Sequence, residues 1–277
     1  MAEYDIAVIG GDKRTAYMIP FFMERGYRVI GYKVCHTKEE IQPDGNADTL
    51  RQALESAGTI VGGIPIEKKG VLNLRELSRH LRRCHTVFGG VIPEAFRQEC
   101  GERGIPCHDF MKDEGLAIFN AIATAEGAIL EALQHKETNI HQSKSLVLGY
   151  GRCGKVLSDK LKALCAEVTV CTANQTELAL AESLGMKVFP VSQLTEKLSS
   201  FEYIYNTVPA VLLTKERLKR IRTDALVIDI ASGRGGLDYD QAKQQQLKAF
   251  HCLGLPGKYA ARVSAGRLAD YVIEKLM

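Results

Sequence analysis

The chain has 277 residues, of which 45% are hydrophobic and 25% charged, and this composition is typical of a globular protein. A net charge of +3, spread along the chain, does not favour nucleic acid, whose binding proteins carry clustered basic residues. We find no apolar run of the roughly 18–20 residues that cross a bilayer, and Met1–Asp5 does not resemble a signal peptide. The sequence therefore predicts a soluble, cytoplasmic protein of about two domains.

The eight cysteines predict neither disulfide bonds nor a metal site. The sequence has no Cys-x-x-Cys pair, and a chain of this length has enough core to fold without disulfides. Cys84-His85 and Cys107-His108 would supply only half of a tetrahedral zinc site each. We expect free thiols and no bound metal.

Short apolar runs alternate with segments whose apolar residues recur at helical spacing. This alternation predicts βαβ units and therefore an α/β fold of two doubly wound parallel-sheet domains. The predicted strands are Asp5–Gly10, Arg28–Lys33, Gly58–Gly62, Cys84–Phe88 and Ile105–Asp109 in the first domain, and Ser145–Gly149, Glu167–Cys171, Lys187–Phe189, Tyr203–Asn206, Ala225–Ile230 and Ala249–Cys252 in the second.

The predicted domain boundaries follow from this order of elements. Residues 1–115 form an N-terminal α/β domain on the substrate side, and residues 116–259 form a Rossmann domain that binds NAD(P). The second domain includes a long helix at 116–135, which is rich in alanine and poor in charge and is expected to be buried between the domains. A last helix at 260–277 is expected to pack back on the first domain.

The most informative motif is Gly149-Tyr-Gly151-Arg152-Cys153-Gly154, which directly follows a predicted strand and opens a predicted helix. In this context Gly-x-Gly-x-x-Gly predicts dinucleotide binding. Gly149 permits a tight turn, Gly151 lets the backbone approach a pyrophosphate, and Gly154 lets the helix pack on the strand. Free N–H groups and the dipole at the helix N-terminus would bind the phosphates. Gly149, Gly151, Arg152, Cys153 and Gly154 are therefore predicted cofactor-binding residues.

The end of the next predicted strand favours NADP over NAD. No Asp or Glu directly follows this strand, where NAD-binding proteins place a carboxylate on the ribose 2′-hydroxyl. Thr172 and Asn174 can donate hydrogen bonds to a 2′-phosphate, and Arg152 can supply a cation. Because no basic residue directly follows the strand, NAD remains an alternative.

The remaining candidates follow other predicted strands. The cofactor-binding candidates are Thr207, Val208, Pro209 and Ser232, and the substrate-binding candidates are Gly11, Asp12, Arg14, Arg234 and Lys258. Arg14 and Arg234 are the expected clamps for the carboxylates of an anionic substrate, with Lys258 third. Asp229 is expected either to cap its loop or to take part in catalysis. No histidine stands in an evident catalytic frame, so no catalytic group is predicted.

Several segments, in order along nearly the whole chain, resemble the family of the A subunit of dipicolinate synthase. They are Ile9-Gly-Gly-Asp-Lys-Arg14, Asn120-Ala-Ile-Ala-Thr-Ala-Glu-Gly127, Gly149-Tyr-Gly-Arg-Cys-Gly154, Asn206-Thr-Val-Pro209, Ile230-Ala-Ser232 and Gly254-Leu-Pro-Gly257. The family often has Ser-Arg-Pro-Gly-Gly where this chain has Ser232-Gly-Arg234-Gly-Gly, so the arginine is displaced by one position. A wider resemblance is to two-domain D-2-hydroxyacid and alanine dehydrogenases.

The family resemblance implies NADP-dependent oxidation of a dihydrodipicolinate-type intermediate to pyridine-2,6-dicarboxylate during sporulation. It also implies, as partner, a flavoprotein-like B subunit, and as location, the mother-cell cytoplasm of a spore-forming bacterium. Two alternatives stay open from the residues: an NAD(P)-dependent dehydrogenase of a small 2-hydroxy or 2-amino acid, which needs a histidine or lysine as acid and base, and a non-catalytic nucleotide-sensing Rossmann module. Homodimerisation also stays open.

Overall fold

The described part of the chain folds into two compact units, each with a six-stranded parallel sheet. The computed structural model describes residues 3–37 and 39–277. Unit 1 comprises the chain up to Phe119 together with Pro256–Met277, and unit 2 comprises Asn120–Leu255. Helices flank both sheets, so the predicted α/β fold with two doubly wound parallel sheets is confirmed.

In unit 1 the sheet order is β3-β2-β1-β4-β5-β6. Its strands are β1 (Tyr4–Ile9), β2 (Val29–Tyr32), β3 (Gly45–Asn46), β4 (Ala57–Val61), β5 (Thr86–Gly89) and β6 (Cys107–Asp109), and its first helices are α1 (Lys13–Met23), α2 (Leu50–Ser56), α3 (Leu74–His80) and α4 (Glu94–Glu102). The strand order reverses between β1 and β4, which is the point where open α/β sheets bind ligands. The sequence predicted five of these six strands and missed β3.

Unit 2 has the sheet order β12-β11-β10-β7-β8-β9, which reverses between β7 and β10. Its elements are α5 (Glu114–His135), whose N-terminal residues belong to unit 1, then β7 (Lys144–Leu148), α6 (Arg152–Ala163), β8 (Glu167–Thr172), α7 (Gln175–Ser183), β9 (Lys187–Pro190), α8 (Leu194–Lys197), β10 (Tyr203–Asn206), α9 (Lys215–Leu218), β11 (Leu226–Asp229), α10 (Tyr239–Gln244) and β12 (Lys248–His251). The last helices are α11 (Leu255–Tyr259) and α12 (Ala261–Leu276).

The alternation of side chains along β1 places apolar groups on both faces of the unit 1 sheet. Ile6 and Val8 belong to a buried cluster with residues of α1 and α12, whereas Ala7 and Ile9 belong to a second cluster with residues of α2 and α3. Helix α12 therefore contributes to the core of unit 1. An exposed ion pair of 2.5 Å joins Arg25, just after α1, to Asp270 of α12.

Helix α5 corrects one expectation from the sequence. By length and composition it could span a membrane, with a mean hydropathy of 1.5 over its most apolar window. The expectation considered only unbroken apolar runs. In α5 the polar residues Asn120, Thr124 and Glu126 interrupt the apolar sequence, but the mean hydropathy stays high enough for a membrane-spanning helix. Half of the window is buried, and an apolar core helix has the same composition.

Candidate functional site

The glycine turn between β7 and α6 is packed so closely that two of its glycines have no room for a side chain. Gly149 has φ +87°, and a Cβ there would lie 2.6 Å from both Thr207 Oγ1 and Val208 Cγ2. Any other residue would be strained in this conformation and would collide with the loop after β10. A Cβ at Gly154 would collide with the carbonyl of Gly149, so α6 starts directly against the turn.

The start of α6 is open for an anion. Gly151 is the N-cap of the helix, and among the described residues no side chain caps it. Apart from its chain neighbours, no described residue has a heavy atom within 4 Å of where its Cβ would be. The exposed Arg152 and the half-buried Cys153 follow as the first helical residues. Burial raises the pKa of the Cys153 thiol, so this side chain stays neutral beside an anion. Amide groups, helix dipole and space together fit a pyrophosphate.

The loop after β10 borders the glycine turn. The backbone N–H and the Oγ1 hydroxyl of Thr207 both donate to the carbonyl of Leu148, at 3.0 and 2.8 Å. Val208 donates its N–H to Asn206 Oδ1 at 3.3 Å and is half-buried, while Pro209 is exposed. The structure therefore brings the predicted residues Thr207 and Val208 next to Gly149.

Asp229, at the end of β11, is fully buried and its carboxylate accepts four hydrogen bonds. Oδ1 accepts from Asn206 Nδ2 at 2.8 Å and from the N–H of Ala231 at 2.9 Å. Oδ2 accepts from the N–H of Gly236 and from the Tyr239 hydroxyl, both at 2.6 Å. Burial and this contact with a carboxylate raise the pKa of Tyr239. Of the two roles considered for Asp229, these contacts favour the structural one, which is to hold the loop 230–236.

The loop 230–236 presents two of the predicted residues to solvent. Ser232 and Arg234 are exposed on it. His251 lies beside the loop, with Nε2 2.9 Å from the carbonyl oxygen of Ala231. This histidine therefore supports the loop, as Asp229 does.

At the end of β8 the structure differs from the premise used to favour NADP. Glu177, in the first turn of α7, extends back so that its Oε2 accepts a hydrogen bond of 2.6 Å from Thr172 Oγ1. Asn174 Oδ1 accepts from the N–H groups of Thr176 and Glu177, at 2.9 and 3.3 Å, and caps α7. A carboxylate thus does lie at this strand end. It was missed from the sequence because only residues adjacent to the strand were considered.

In unit 1 the predicted clamp Arg14 is paired within the protein. It is 3% exposed, and its Nε and Nη2 donate to the Asp12 carboxylate at 3.0 and 2.8 Å. Nη2 also donates to the carbonyl of Ile64 at 3.1 Å. Asp12 in turn accepts from the Arg14 N–H at 2.9 Å and caps α1. The charge of Arg14 is therefore largely balanced by Asp12.

Among the described residues, Lys258 and Lys68 belong to segments that lie against this pair or against Gly11 beside it. A Cβ at Gly257 would collide with the Asp12 carboxylate, so the backbone that carries the exposed Lys258 lies against Asp12. Lys68, also exposed, donates its Nζ to the carbonyl of Gly11 at 3.3 Å. The sequence predicted Lys258 as a substrate-binding residue but not Lys68, which comes five residues after Gly63 in the loop that follows β4.

All eight cysteines are free thiols. Among residues 3–37 and 39–277, no three His, Cys, Asp or Glu side chains are grouped as a metal site.

Comparison with known proteins identifies the relatives of the chain. Residues 5–111 match the family described as the N-terminal domain of the dipicolinate synthase A subunit. The chain is 28% identical to the A subunit of dipicolinate synthase from Bacillus subtilis (strain 168), over 98% of this chain and 95% of that protein. The crystal structure of the corresponding protein from Bacillus halodurans has a TM-score of 0.86 and 25% identity, over 99% of this chain and 98% of that one. The resemblance predicted from the sequence is confirmed.

Two more distant structures share the fold. The transhydrogenase from Sinorhizobium meliloti has a TM-score of 0.66 and 15% identity, over 97% of this chain and 93% of that one. An L-alanine dehydrogenase has a TM-score of 0.58 and 11% identity, over 96% and 87%. The likeness of the fold to that of alanine dehydrogenase, expected from the sequence, is confirmed, whereas function depends on the residues of the site.

Proposed function

The chain is a relative of the A subunit of dipicolinate synthase along nearly its whole length, and from this premise we propose that it is a nicotinamide-dependent oxidoreductase with the activity that this name describes. The reaction would convert a dihydrodipicolinate-type intermediate to pyridine-2,6-dicarboxylate. The observation that carries the proposal is the uncapped start of α6, with open space above Gly151 and the close-packed turn at Gly149. A nucleotide pyrophosphate fits there.

The proposed cofactor contacts are those predicted from the sequence. The pyrophosphate would bind to the backbone of Gly149, Gly151, Arg152, Cys153 and Gly154, and the nicotinamide end would lie along Thr207, Val208, Pro209 and Ser232. When bound, the nicotinamide supplies the acceptor for the hydride that leaves the substrate ring. Asp229 acts indirectly, because its four hydrogen bonds fix the loop that carries Ser232.

The substrate is a dianion, and we propose that exposed cations bind its carboxylates. Lys258 and Lys68 lie around the Asp12–Arg14 pair, and Arg234 is exposed on its own loop. Gly11, Asp12 and Arg14 are the sequence-based candidates for direct contact with the substrate. Because Arg14 is paired with Asp12 and the Gly11 carbonyl accepts from Lys68, we propose that they act mainly by shaping the loop after β1. Oxidation removes a hydride and a proton and makes the ring aromatic, so no strong catalytic base is required. Asp229 and His251, which could otherwise act as bases, are hydrogen-bonded to the loop 230–236, and this agrees with a reaction that needs no strong base.

We further propose that the chain has, as partner, a flavoprotein-like B subunit, because the relatives are named as one subunit of a synthase. The same name supports a role in sporulation, in the mother-cell cytoplasm. The sequence favours NADP as the cofactor. The hydrogen bond between Thr172 and the Glu177 carboxylate instead argues against a 2′-phosphate at this position.

The test is the near-UV absorbance of reduced nicotinamide, followed with purified protein, NAD or NADP, and the enzymatically generated intermediate. The assay is run with and without a candidate B subunit. We expect reduced cofactor to form together with the ultraviolet bands of a pyridine dicarboxylate. Cofactor binding without turnover in either run would contradict the proposed reaction.

A further inference from the structure

We propose that Glu177 makes this chain select NAD over NADP. The inference rests on the proposed binding of a nicotinamide dinucleotide at the glycine turn, and it reverses the cofactor preference drawn from the sequence. It depends on where β8 ends, on what Glu177 contacts there, and on the charge that the second cofactor would bring.

The end of β8 lies beside the glycine turn. Leu148 of β7 is in register with Cys171 of β8, and the N–H of Gly149 donates to the carbonyl of Cys171 at 2.8 Å. Thr172 is the last residue of β8. A dinucleotide whose pyrophosphate lies on the start of α6 places its adenosine ribose at this strand end.

Glu177 adds a carboxylate at that position. Its Oε2 accepts a hydrogen bond of 2.6 Å from Thr172 Oγ1, and the side chain is half-buried. The Thr172 hydroxyl therefore donates to a carboxylate instead of to a phosphate. Asn174 has its Oδ1 engaged with two backbone N–H groups of α7. Of the three groups that had favoured a 2′-phosphate, Thr172 thus already donates to a carboxylate, and Asn174 is held through its side-chain oxygen as the cap of α7.

The two cofactors differ only in the group at the ribose 2′ position. A 2′-hydroxyl can donate a hydrogen bond to the Glu177 carboxylate, which has lone pairs beyond the one that Thr172 uses. A 2′-phosphate carries up to two negative charges and would be repelled by the carboxylate. Residues 172–176 are Thr, Ala, Asn, Gln and Thr, so this segment offers no side-chain cation to offset the repulsion. The cation that the sequence suggested for the phosphate, Arg152, is exposed at the start of α6, where solvent and salt screen its charge, whereas Glu177 is half-buried at the strand end. The local charge favours the hydroxyl.

The experiment measures dissociation constants of NADH and NADPH with the full chain by titrating the fluorescence of the reduced nicotinamide. The variants are Glu177→Gln, which removes the charge at nearly constant shape, and Glu182→Gln, which makes the same change at an exposed position of α7. We expect the wild-type chain to bind NADH at least about tenfold more tightly than NADPH, a difference of about 1.4 kcal/mol. Glu177→Gln should reduce this ratio by roughly tenfold, and Glu182→Gln should leave it unchanged.

The ratio distinguishes selectivity from a structural effect. If Glu177 only stabilised α7, its replacement would weaken both cofactors alike and leave the ratio unchanged, which would overturn the inference. Tighter binding of NADPH by the wild-type chain would overturn it without any variant, while the proposed oxidoreductase activity would stand. Binding of neither nucleotide by the folded chain would instead overturn the proposed function, and the inference with it.

Discussion

Replacing Asp229 by Asn should destabilise unit 2 strongly, because the buried carboxylate is an acceptor on both oxygens. Its Oδ1 and Oδ2 together accept two backbone N–H groups, the Asn206 amide and the Tyr239 hydroxyl. An asparagine offers one oxygen in place of two. In either orientation of the amide, the N–H of Ala231 or of Gly236 would face an NH₂ group.

The expected loss follows from these contacts. A hydrogen bond to a charged group contributes about 1.5–3 kcal/mol, and a buried donor left without an acceptor costs about 1–3 kcal/mol. Since the Tyr239 hydroxyl can rotate to accept from the new amide, mainly one side of the network is lost. We therefore expect a decrease of about 2–4 kcal/mol in the free energy of unfolding.

Equilibrium urea unfolding followed by far-UV circular dichroism measures this loss. With a slope of about 3 kcal/mol per molar urea, the transition midpoint should fall by roughly 1 M. Asp224→Asn is the matched control, since Asp224 is exposed and paired with the exposed Arg222; it should cost about 0–1 kcal/mol. Equal effects of the two substitutions would refute the assignment of Asp229 as the anchor of the loop 230–236.

Gly151→Ala should leave the free energy of unfolding nearly unchanged, because the new Cβ would enter open space. The same Cβ would occupy the space proposed for the pyrophosphate, so the dissociation constant of the nucleotide should rise by at least about tenfold. Lys258→Ala should raise KM for the dicarboxylate by roughly tenfold, measured by steady-state kinetics, without changing the cofactor dissociation constant. His85 gives a pH dependence: burial lowers its pKa from the usual 6.5, so the unfolded chain binds the proton more readily. Stability contributed by this group is present above about pH 6.5 and should fall below it, by at most about 1.4 kcal/mol per pH unit.

Each of these predictions has a control on the same chain. Urea unfolding of Gly151→Ala shows whether weaker binding is local, and a destabilised variant would contradict the open space at that position. As the control for Lys258→Ala, Lys69→Ala removes a different exposed lysine charge and should leave KM unchanged. His141→Gln changes an exposed histidine, so its unfolding profile should keep the wild-type slope below pH 6.5. A flat wild-type profile between pH 7.5 and 5.5 would contradict the prediction for His85.

The fold could be predicted largely because its strands are short, apolar and regularly spaced. All eleven predicted strands occur, with their ends shifted by up to two residues. The missed strand β3 is only Gly45–Asn46, which pairs with Ile30 and Gly31 but has no apolar pattern of its own. Its pairing depends on the neighbouring strand, and neither residue has the β-branched or aromatic side chain that indicates a strand.

The site was predicted less completely because side-chain pairing cannot be read from position alone. The glycine turn is local, so its spacing and its context between strand and helix were sufficient to find it. The charge balance of Arg14 depends on the rotamer that pairs it with Asp12 across one turn. The carboxylate of Glu177 returns to a strand that ends five residues earlier. A search limited to adjacent residues misses both contacts.

The division of the chain into units also has a consequence for its synthesis. Unit 2 is one continuous segment, whereas unit 1 includes α12, which the ribosome makes after the whole of unit 2. The cluster that joins Ile6 and Val8 to Leu268 and Val272 therefore cannot form while the chain is still being translated through Leu255. Until then the face of β1 and α1 that α12 covers remains exposed, and nascent chains at this stage should depend most on chaperones.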